Sequence, residues 1–382
     1  MKILQINASY KPAFIYGGPT MSVSKLSEEL AKAGCTVDVY TTTANGDEEL
    51  PVTPNVTRSV DGVAVTYFKR ITKDHSHLSP ALLKALWRNA GQYDLIHIHA
   101  WWNLVSVLSA LVARLKSVPV VVSPRGTLSN YSFDYKNSLV KKVFYNLLGR
   151  PLLNRCFIHA TSAAERQSLQ QIITPRQLFD IPNFVKIASS VKTKTADISM
   201  LKLLFLSRID EKKGPDILLH ALALLKVPYH LTIAGNGDDS YIGFLKNIAN
   251  YNNTAQHVSW IGFQQDNKFE VLADHDLTIL PSHNENFGNV VIESLSAGTP
   301  VLISDGVGLA NYVTKNNLGW VCRANPQSVA DAINDIAIHQ KEKLQQIGAI
   351  APAIIHADFD DDKLVGRYID MYQQIIKSKQ PQ

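Results

Sequence analysis

Short apolar runs alternate with amphipathic stretches along the whole chain, and this alternation predicts strands and helices in turn. In the first half the pattern predicts six strands, at Lys2–Ile6, 36–41, Val63–Phe68, Leu95–His99, 118–123 and 157–161. In the second half it predicts six more, at 201–207, Tyr229–Ala234, 257–261, 277–281, Val301–Ser304 and 319–321. Such alternation is typical of a parallel sheet with helices on both faces, and here it occurs twice. The expected fold class is therefore α/β.

Chain length and the linker-like stretch around 188–195 divide the sequence. At 382 residues the chain is long enough for two domains. We expect one domain over 1–187 and a second over 188–362. A last helix over 363–382 is expected to pack back toward the first domain, because its apolar residues recur at helical spacing.

The bulk composition is that of a globular protein with an ample core, with 46% apolar and 19% charged residues. The three cysteines, Cys35, Cys156 and Cys322, are far apart and odd in number, which favours buried thiols over disulfides or a zinc site. The N-terminus reads as a strand and not as a signal peptide, and no apolar run is long enough to span a bilayer. These features predict a cytoplasmic protein.

Charge is distributed unevenly between the halves. Residues 1–190 hold 21 Lys and Arg against 12 Asp and Glu, a balance of +9, and the remainder holds 17 against 21, a balance of −4. The basic half suggests an anionic surface or acceptor, and scattered solvated lysines are the alternative. The stretch from Asn137 interleaves Lys141, Lys142, Arg150 and Arg155 with apolar residues. It reads equally as a core-packed helix or as a helix on the inner face of the plasma membrane, which would bind anionic vesicles in a salt-sensitive way.

The strongest chemical signal is the stretch from Pro281 to Pro300. It reads as strand, loop, helix and strand, and places Glu285 in the loop and Glu293 two turns into the helix. Ligands bind outside the carboxyl ends of strands in open α/β sheets. A helix start there attracts phosphate, while carboxylates accept hydrogen bonds from sugar hydroxyls. The stretch therefore predicts a nucleotide-sugar site.

A second basic motif follows the first strand of the second half. That strand leads to Arg208, and the loop after it bears Lys213 and opens a helix near Pro215. Two cations at one strand end are suited to clamping a diphosphate. In the first half, Gly17 and Gly18 form a turn after the first strand, which alone is weak evidence for a phosphate contact. A dinucleotide-binding glycine fingerprint is missing from the sequence, which disfavours an NAD-dependent reductase.

Other polar clusters carry less weight. His97 and His99 share a face of one strand, but no carboxylate or cysteine nearby completes a metal site. His99, at the strand tip, is better placed to hydrogen-bond a sugar, and a structural role is favoured for either histidine. The Asp-x-Asp patterns at 274–276 and 360–362 are expected to be solvated charge and not a metal site. Arg125 ends another strand of the first half and points a cation into the crevice outside the strand ends.

Together these motifs resemble the GT4 family of retaining glycosyltransferases, which have the GT-B fold of two facing Rossmann-like domains. The resemblance implies that Arg208 and Lys213 bind the diphosphate of a nucleoside-diphosphate sugar and stabilise its departing charge. It implies that Glu285 meets the hydroxyls of the transferred sugar and that Glu293 grips the ribose.

The resemblance also assigns main-chain contacts. It implies that Asn286, Phe287 and Gly288 hold the sugar, and that Asn289 and Val290 lie under the phosphates at the start of the helix.

The remaining donor contacts come from separate loops. By resemblance, Gly262 and Phe263 hold the base, and Gly17 and Gly18 close on the diphosphate from the other domain. His99 falls on the acceptor side, as a further catalytic candidate.

The sequence departs from the family pattern at Arg125, which stands about where many members have a histidine. We expect Arg125 to contact donor phosphate or an anionic acceptor. The resemblance implies transfer from a nucleoside-diphosphate sugar, UDP favoured over GDP, to a glycan or lipid-linked acceptor in bacterial surface polysaccharide synthesis. It implies no metal, no other cofactor and no nucleic acid partner. A nucleotide-sugar 2-epimerase and a non-catalytic partner subunit are the alternatives.

Overall fold

The computed structural model describes residues 1–128, 143–189, 200–264 and 266–378. The chain divides into two compact units: the first is Met1–Phe184 with Asp361–Gln382, and the second is Val185–Asp360. Each unit contains one largely parallel sheet with helices packed on it. The α/β fold class predicted from the alternation is confirmed.

The strands agree closely with the apolar runs. In chain order they are β1 Lys2–Ile6, β2 Thr36–Thr42, β3 Ala44–Asn45, β4 Glu48–Glu49, β5 Thr57–Val60, β6 Val63–Phe68, β7 Leu95–His99, β8 Val120–Ser123, β9 Phe157–Ala160, β10 Gln177–Asp180, β11 Leu201–Leu206, β12 Tyr229–Ala234, β13 Val258–Gly262, β14 Leu277–Leu280, β15 Val301–Ser304 and β16 Gly319–Cys322. All twelve predicted strands are present, with ends that differ by at most two residues. The sequence missed β3, β4, β5 and β10, whose residues are largely polar or part-exposed and so lack an apolar run.

The helices of the described ranges follow between the strands. They are α1 Gly18–Lys32, α2 Pro80–Asn89, α3 Leu104–Leu115, α4 Arg150–Leu153, α5 Ala163–Ile172, α6 Pro215–Leu222, α7 Asp239–Tyr251, α8 Lys268–Ala273, α9 Asn289–Ser296, α10 Ala310–Lys315, α11 Pro326–His339, α12 Lys341–Asp358 and α13 Asp361–Lys377. Within those ranges, none of the helices has the length and apolar character that crossing a bilayer demands.

The first unit is built on an eight-stranded sheet in the order β10-β9-β8-β7-β1-β2-β6-β5. Neighbouring strands are parallel except for the edge pair β5 and β6. The last helix, α13, belongs to this unit: it packs on α1, and its Asp361 lies 2.8 Å from Lys25 of that helix. Because β1 pairs with β2 on one side and β7 on the other, the winding reverses beside β1.

The second unit is built on six parallel strands in the order β13-β12-β11-β14-β15-β16. Consecutive residues Leu203, Leu204 and Phe205 are completely buried, which is what a strand covered on both faces requires. The winding reverses between β11 and β14, so the loops that follow these two strands flank a topological switch point. Those loops carry Arg208, Lys213 and Glu285.

Candidate functional site

Two loops at the carboxyl edge of the second sheet meet and bring Lys213 against Glu285. The main-chain N–H of His283, after β14, donates to the carbonyl oxygen of Lys212, after β11, at 3.0 Å. This link joins the loops, and the Nζ of Lys213 directly contacts Oε2 of Glu285. The two side chains are only 16% and 17% exposed. The structure therefore unites a cation and a carboxylate that lie 72 residues apart in the sequence.

Gly214 makes this close approach possible. Its φ of 68° lies in the left-handed region, and a Cβ at this position would lie 2.3 Å from the carbonyl oxygen of Pro281. Helix α6 then begins at Pro215, as predicted. The loop after β11 consequently needs glycine here for two separate reasons, conformation and space.

The main chain of Glu285 is held in place by the loop after β15. Its N–H donates to the carbonyl oxygen of Gly306 at 2.9 Å, and its own carbonyl accepts from the N–H of Gly308 at 2.7 Å. Sequence reasoning missed this loop. The signal was the pair of glycines directly after a buried strand, since a Cβ on Gly306 would lie 2.6 Å from the carbonyl oxygen of His283.

The ammonium group of Lys213 loses its proton more readily than that of an ordinary lysine. Burial, and then the nearby charges of Arg208 and Lys212, lowers the pKa of Lys213 to about 7, and Asp210 offsets part of that effect. An anion close to Nζ favours the ammonium form, and Glu285 supplies one at contact distance. A bound diphosphate would act in the same direction.

Arg208 stands at the same edge with greater freedom. It follows β11, its side chain is 56% exposed, and its Nε lies 3.8 Å from a carboxylate oxygen of Asp210. An exposed pair of this kind holds a guanidinium only weakly, so the fork of Arg208 can turn to a ligand.

Glu293 is held by a residue that the sequence analysis missed. Its carboxylate lies 2.5 Å from the Nζ of Lys268, the first residue of α8. Phe263, in the loop that leads to α8, is 54% exposed, and the carbonyl oxygen of Gly262 accepts from the N–H of Gly235 at 2.8 Å. The segment after β13 thus presents an open aromatic ring, and the base contact of Gly262 and Phe263 stays a prediction.

Helix α9 begins directly after the Glu285 loop. Gly288 precedes it with a φ of 89°, and its first two residues are Asn289 and Val290. Phe287 is buried and packs edge to face on Phe359, with ring centroids 6.3 Å apart. The side chain of Phe287 belongs to the core, so this position has its main chain to offer a ligand, while Asn286 beside it is half-buried.

In the first unit, Gly17 and Gly18 open helix α1. Gly17 has a φ of 65°, and Gly18 and Pro19 form the first turn. Among the residues that the structure describes, none crowds a Cβ at Gly17, so conformation and not crowding explains the glycine. The turn places the positive end of a 15-residue helix at the edge of the sheet.

Three buried histidines form a hydrogen-bonded chain across four neighbouring strands of the first sheet. The last helix, α13, contributes two tyrosines to this hydrogen-bonded chain. In order, its members are Arg125, His99, Gln5, Tyr372, His97, Ser123, His159 and the carbonyl of Ile181. Tyr368, one helical turn before Tyr372, lies 3.3 Å from the last histidine.

The proton positions in this chain follow from its two ends. Arg125 only donates, so the Nδ1 of His99 accepts and its Nε2 donates to Gln5. The carbonyl of Ile181 only accepts, so the Nε2 of His159 donates to it and its Nδ1 accepts from Ser123. Every hydrogen bond between these ends then runs in one direction, with all three histidines neutral. Burial is the main cause that lowers their pKa, to about 3 for His159 and well below the usual 6.5 for His97 and His99.

His99, a predicted catalytic and acceptor-side residue, is fully buried with both ring nitrogens occupied. Any influence of His99 on a ligand at the sheet edge is therefore indirect, through its hydrogen bond with the guanidinium of Arg125. Sequence reasoning missed Gln5, Ser123, His159, Tyr368 and Tyr372. The available signal was the recurrence of polar residues at buried positions of apolar strands.

The weaker candidates have structural partners. Asp276 accepts from the main-chain N–H of Lys202 at 2.8 Å, and Asp361 pairs with Lys25. Over the described ranges, no three His, Cys, Asp or Glu side chains are grouped to hold a metal ion. Of the segment predicted from Asn137, residues 137–142 lie outside the described residues, while Arg150 and Arg155 are exposed.

The site has the parts of a glycosyltransferase: paired cations, two carboxylates and a helix start at a topological switch point. A sequence model of "Glycosyl transferases group 1" matches residues 194–353, and one of "Glycosyltransferase Family 4" matches residues 16–189. The chain belongs to family 4 of the glycosyltransferases.

Relatives in sequence agree with this assignment. An uncharacterised glycosyltransferase of Methanocaldococcus jannaschii is 26% identical over 368 residues, which cover 88% of this chain and 89% of the relative. A D-inositol 3-phosphate glycosyltransferase of Acidothermus cellulolyticus is 27% identical over 398 residues, covering 93% and 86%.

Solved structures show the GT-B fold. HepE of Anabaena, in complex with UDP and glucose, aligns with a TM-score of 0.75 at 22% identity, over 98% of this chain and all of HepE. WaaG, a glycosyltransferase involved in lipopolysaccharide biosynthesis, aligns with a TM-score of 0.69 at 17% identity, over 97% and 99%. The predicted GT-B fold is confirmed.

Proposed function

We propose that the protein is a retaining glycosyltransferase that moves a sugar from a UDP-sugar to a hydroxyl of a glycan or lipid-linked acceptor. The observation that carries the proposal is the direct contact between Lys213 and Glu285 at the switch point of the second sheet. A lysine ammonium is suited to binding phosphate, and here it lies against a carboxylate, a group suited to sugar hydroxyls. The complex of HepE with UDP and glucose supports a uridine donor.

The donor would replace partners that these side chains already have. Its diphosphate would lie between Lys213, Arg208 and the start of α9, where the charges favour an anion. Its sugar hydroxyls would take the place of Lys213 on Glu285. Its ribose would meet Glu293 beside Lys268, and its base would stack on Phe263.

The reaction needs stabilisation of the leaving phosphate above all. The bond between the anomeric carbon and the phosphate oxygen breaks, and the acceptor oxygen forms its bond to that carbon on the same face. The leaving phosphate oxygen takes the proton of the acceptor hydroxyl. Lys213, Arg208 and the helix start would stabilise the charge that develops, since they are positioned before the reaction begins. With these positive groups in place, we propose that the reaction needs no metal ion.

A thermal-shift panel of nucleoside diphosphates and their sugars tests the proposal. We expect UDP and one UDP-sugar to raise the melting temperature, because a ligand at 100 times its Kd stabilises the native state by about 2.7 kcal/mol. GDP and ADP serve as controls for non-specific diphosphate binding. A panel without any stabilising nucleotide would overturn the proposal.

The same panel separates the alternatives when it is followed by product analysis. A 2-epimerase would convert the bound UDP-sugar to its epimer, and a non-catalytic subunit would leave it intact. We expect neither of these results. Instead we expect slow release of free sugar and UDP in the absence of an acceptor, as a transferase would produce. The acceptor class is proposed to belong to bacterial surface polysaccharide synthesis, for which the structural likeness to WaaG is the support.

A further inference from the structure

We propose that Arg125 is the anchor for an oxyanion, a phosphate or carboxylate, on the sugar acceptor. This inference rests on the proposed transferase function and specifies its acceptor.

The guanidinium of Arg125 is held by neutral groups on three sides. Its Nε donates to His99 at 3.2 Å, and its Nη1 donates to Ser22 at 2.9 Å and to Asn183 at 2.6 Å. Within the part of the chain that the structure describes, its Nη2 has no protein partner. One edge of the guanidinium fork is therefore left to a ligand.

The positive charge of Arg125 is not paired with a carboxylate of the described residues: among them, none of its nitrogens lies within 4.0 Å of a carboxylate oxygen. Glu165 is the carboxylate whose charge raises the pKa of Arg125, and its two oxygens accept from the N–H of Gly126 and from Thr161. Burial lowers the pKa of Arg125, which marks a charge that the protein has desolvated without pairing it. An incoming anion would recover that cost.

The backbone conformation and the hydrogen bonds of Arg125 fix its position. Its φ of 52° lies in the left-handed region, which is uncommon for a residue with a side chain and recurs at functional sites. Below it, the hydrogen-bonded chain ends on His99, whose accepting nitrogen faces Nε of Arg125. Ser22 belongs to the first turns of α1, so the positive end of that helix lies beside the guanidinium. The guanidinium and the positive end of the helix both favour an anionic ligand.

The test measures binding of inorganic phosphate to the full chain, in two settings that remove the donor site from the signal. One is the wild-type protein saturated with UDP, and the other is the Lys213→Ala variant. In each setting we expect one phosphate site, and Arg125→Gln should weaken it at least 10-fold. The exposed arginine variant Arg88→Gln, on α2, should leave it unchanged.

Several outcomes would overturn the inference. Phosphate affinity that is unchanged by Arg125→Gln, or phosphate that UDP displaces from wild type, would remove the acceptor anion from this position. If Arg125→Gln fails to fold, Arg125→Lys keeps the charge and should retain phosphate binding while losing the bond to His99. An absence of phosphate binding in that variant and in wild type would also contradict the inference. Because the Lys213→Ala arm needs no nucleotide, its result is independent of whether UDP-sugars bind.

Discussion

Lys213→Ala should lower the turnover of UDP-sugar hydrolysis by about 10²–10³-fold, the usual loss when one preorganised charge is removed from a transition state. The side chain contacts Glu285 directly and stands beside the proposed path of the leaving phosphate. Its removal leaves that phosphate without its nearest cation. The fold should persist, because Lys213 lies in a loop and its main-chain hydrogen bond to Asp210 does not depend on the side chain.

The matched control is Lys202→Ala at the opposite end of the same strand, β11. Lys202 is exposed, and it joins Asp276 through its main-chain N–H and not through its side chain. Its replacement should leave turnover within twofold of wild type. Near-normal turnover in Lys213→Ala, with a normal melting temperature, would contradict the assignment of Lys213 to the leaving group.

Gly214→Ala should both destabilise the protein and abolish hydrolysis. A left-handed alanine costs roughly 1–2 kcal/mol. The added methyl would also lie 2.3 Å from the carbonyl oxygen of Pro281, so one of the two loops must move. Movement there separates Lys213 from Glu285. Urea unfolding should show that the free energy of unfolding falls by about 3 kcal/mol, a large effect for one substitution and one that strain at a special backbone position can cause.

Gly243→Ala on α7 is the comparison that isolates this effect. Gly243 is helical, and within the described ranges no atom beyond its chain neighbours and its own helix backbone lies within 4 Å of a Cβ at this position. Alanine there should raise stability by up to about 1 kcal/mol and leave hydrolysis unchanged. Equal effects of the two substitutions would show that the Pro281 contact does not organise the site.

The fold was predictable because its signals are local. Apolar runs such as Val301–Ser304 mark buried strands whatever their neighbours are, and proline and glycine mark the ends of α6 and α9. Strand order was not predictable in the same way. The position of β14 next to β11 depends on a pairing across more than seventy residues, which no local pattern encodes.

For the candidate site, the sequence supplied the residue types and their loops but not their partners. The contact between Lys213 and Glu285, and the salt bridge between Lys268 and Glu293, arise only when strand ends are brought together. The case of His99 is the most instructive. Its place at a strand tip suggested contact with a ligand, whereas the structure encloses it between Gln5 and Arg125.

The chain of histidines shows why buried polar networks escape sequence reasoning. Its members come from four strands, from the segments that hold Arg125 and Ile181, and from α13 near the C-terminus, and each residue alone has an ordinary structural explanation. The common direction of the hydrogen bonds is set by Arg125 at one end and the carbonyl of Ile181 at the other. The residue types and their spacing in the sequence do not reveal that direction.

The central claim is that the Lys213 and Glu285 edge supports transfer with retention from a UDP-sugar. The most direct test is proton NMR of the sugar first released when wild-type protein hydrolyses UDP-α-glucose, or the UDP-sugar that the thermal-shift panel selects. We expect the α anomer to appear first, and we expect Glu285→Ala to release neither anomer at a comparable rate. Initial release of the β anomer, or unchanged release by Glu285→Ala, would contradict transfer with retention at this site.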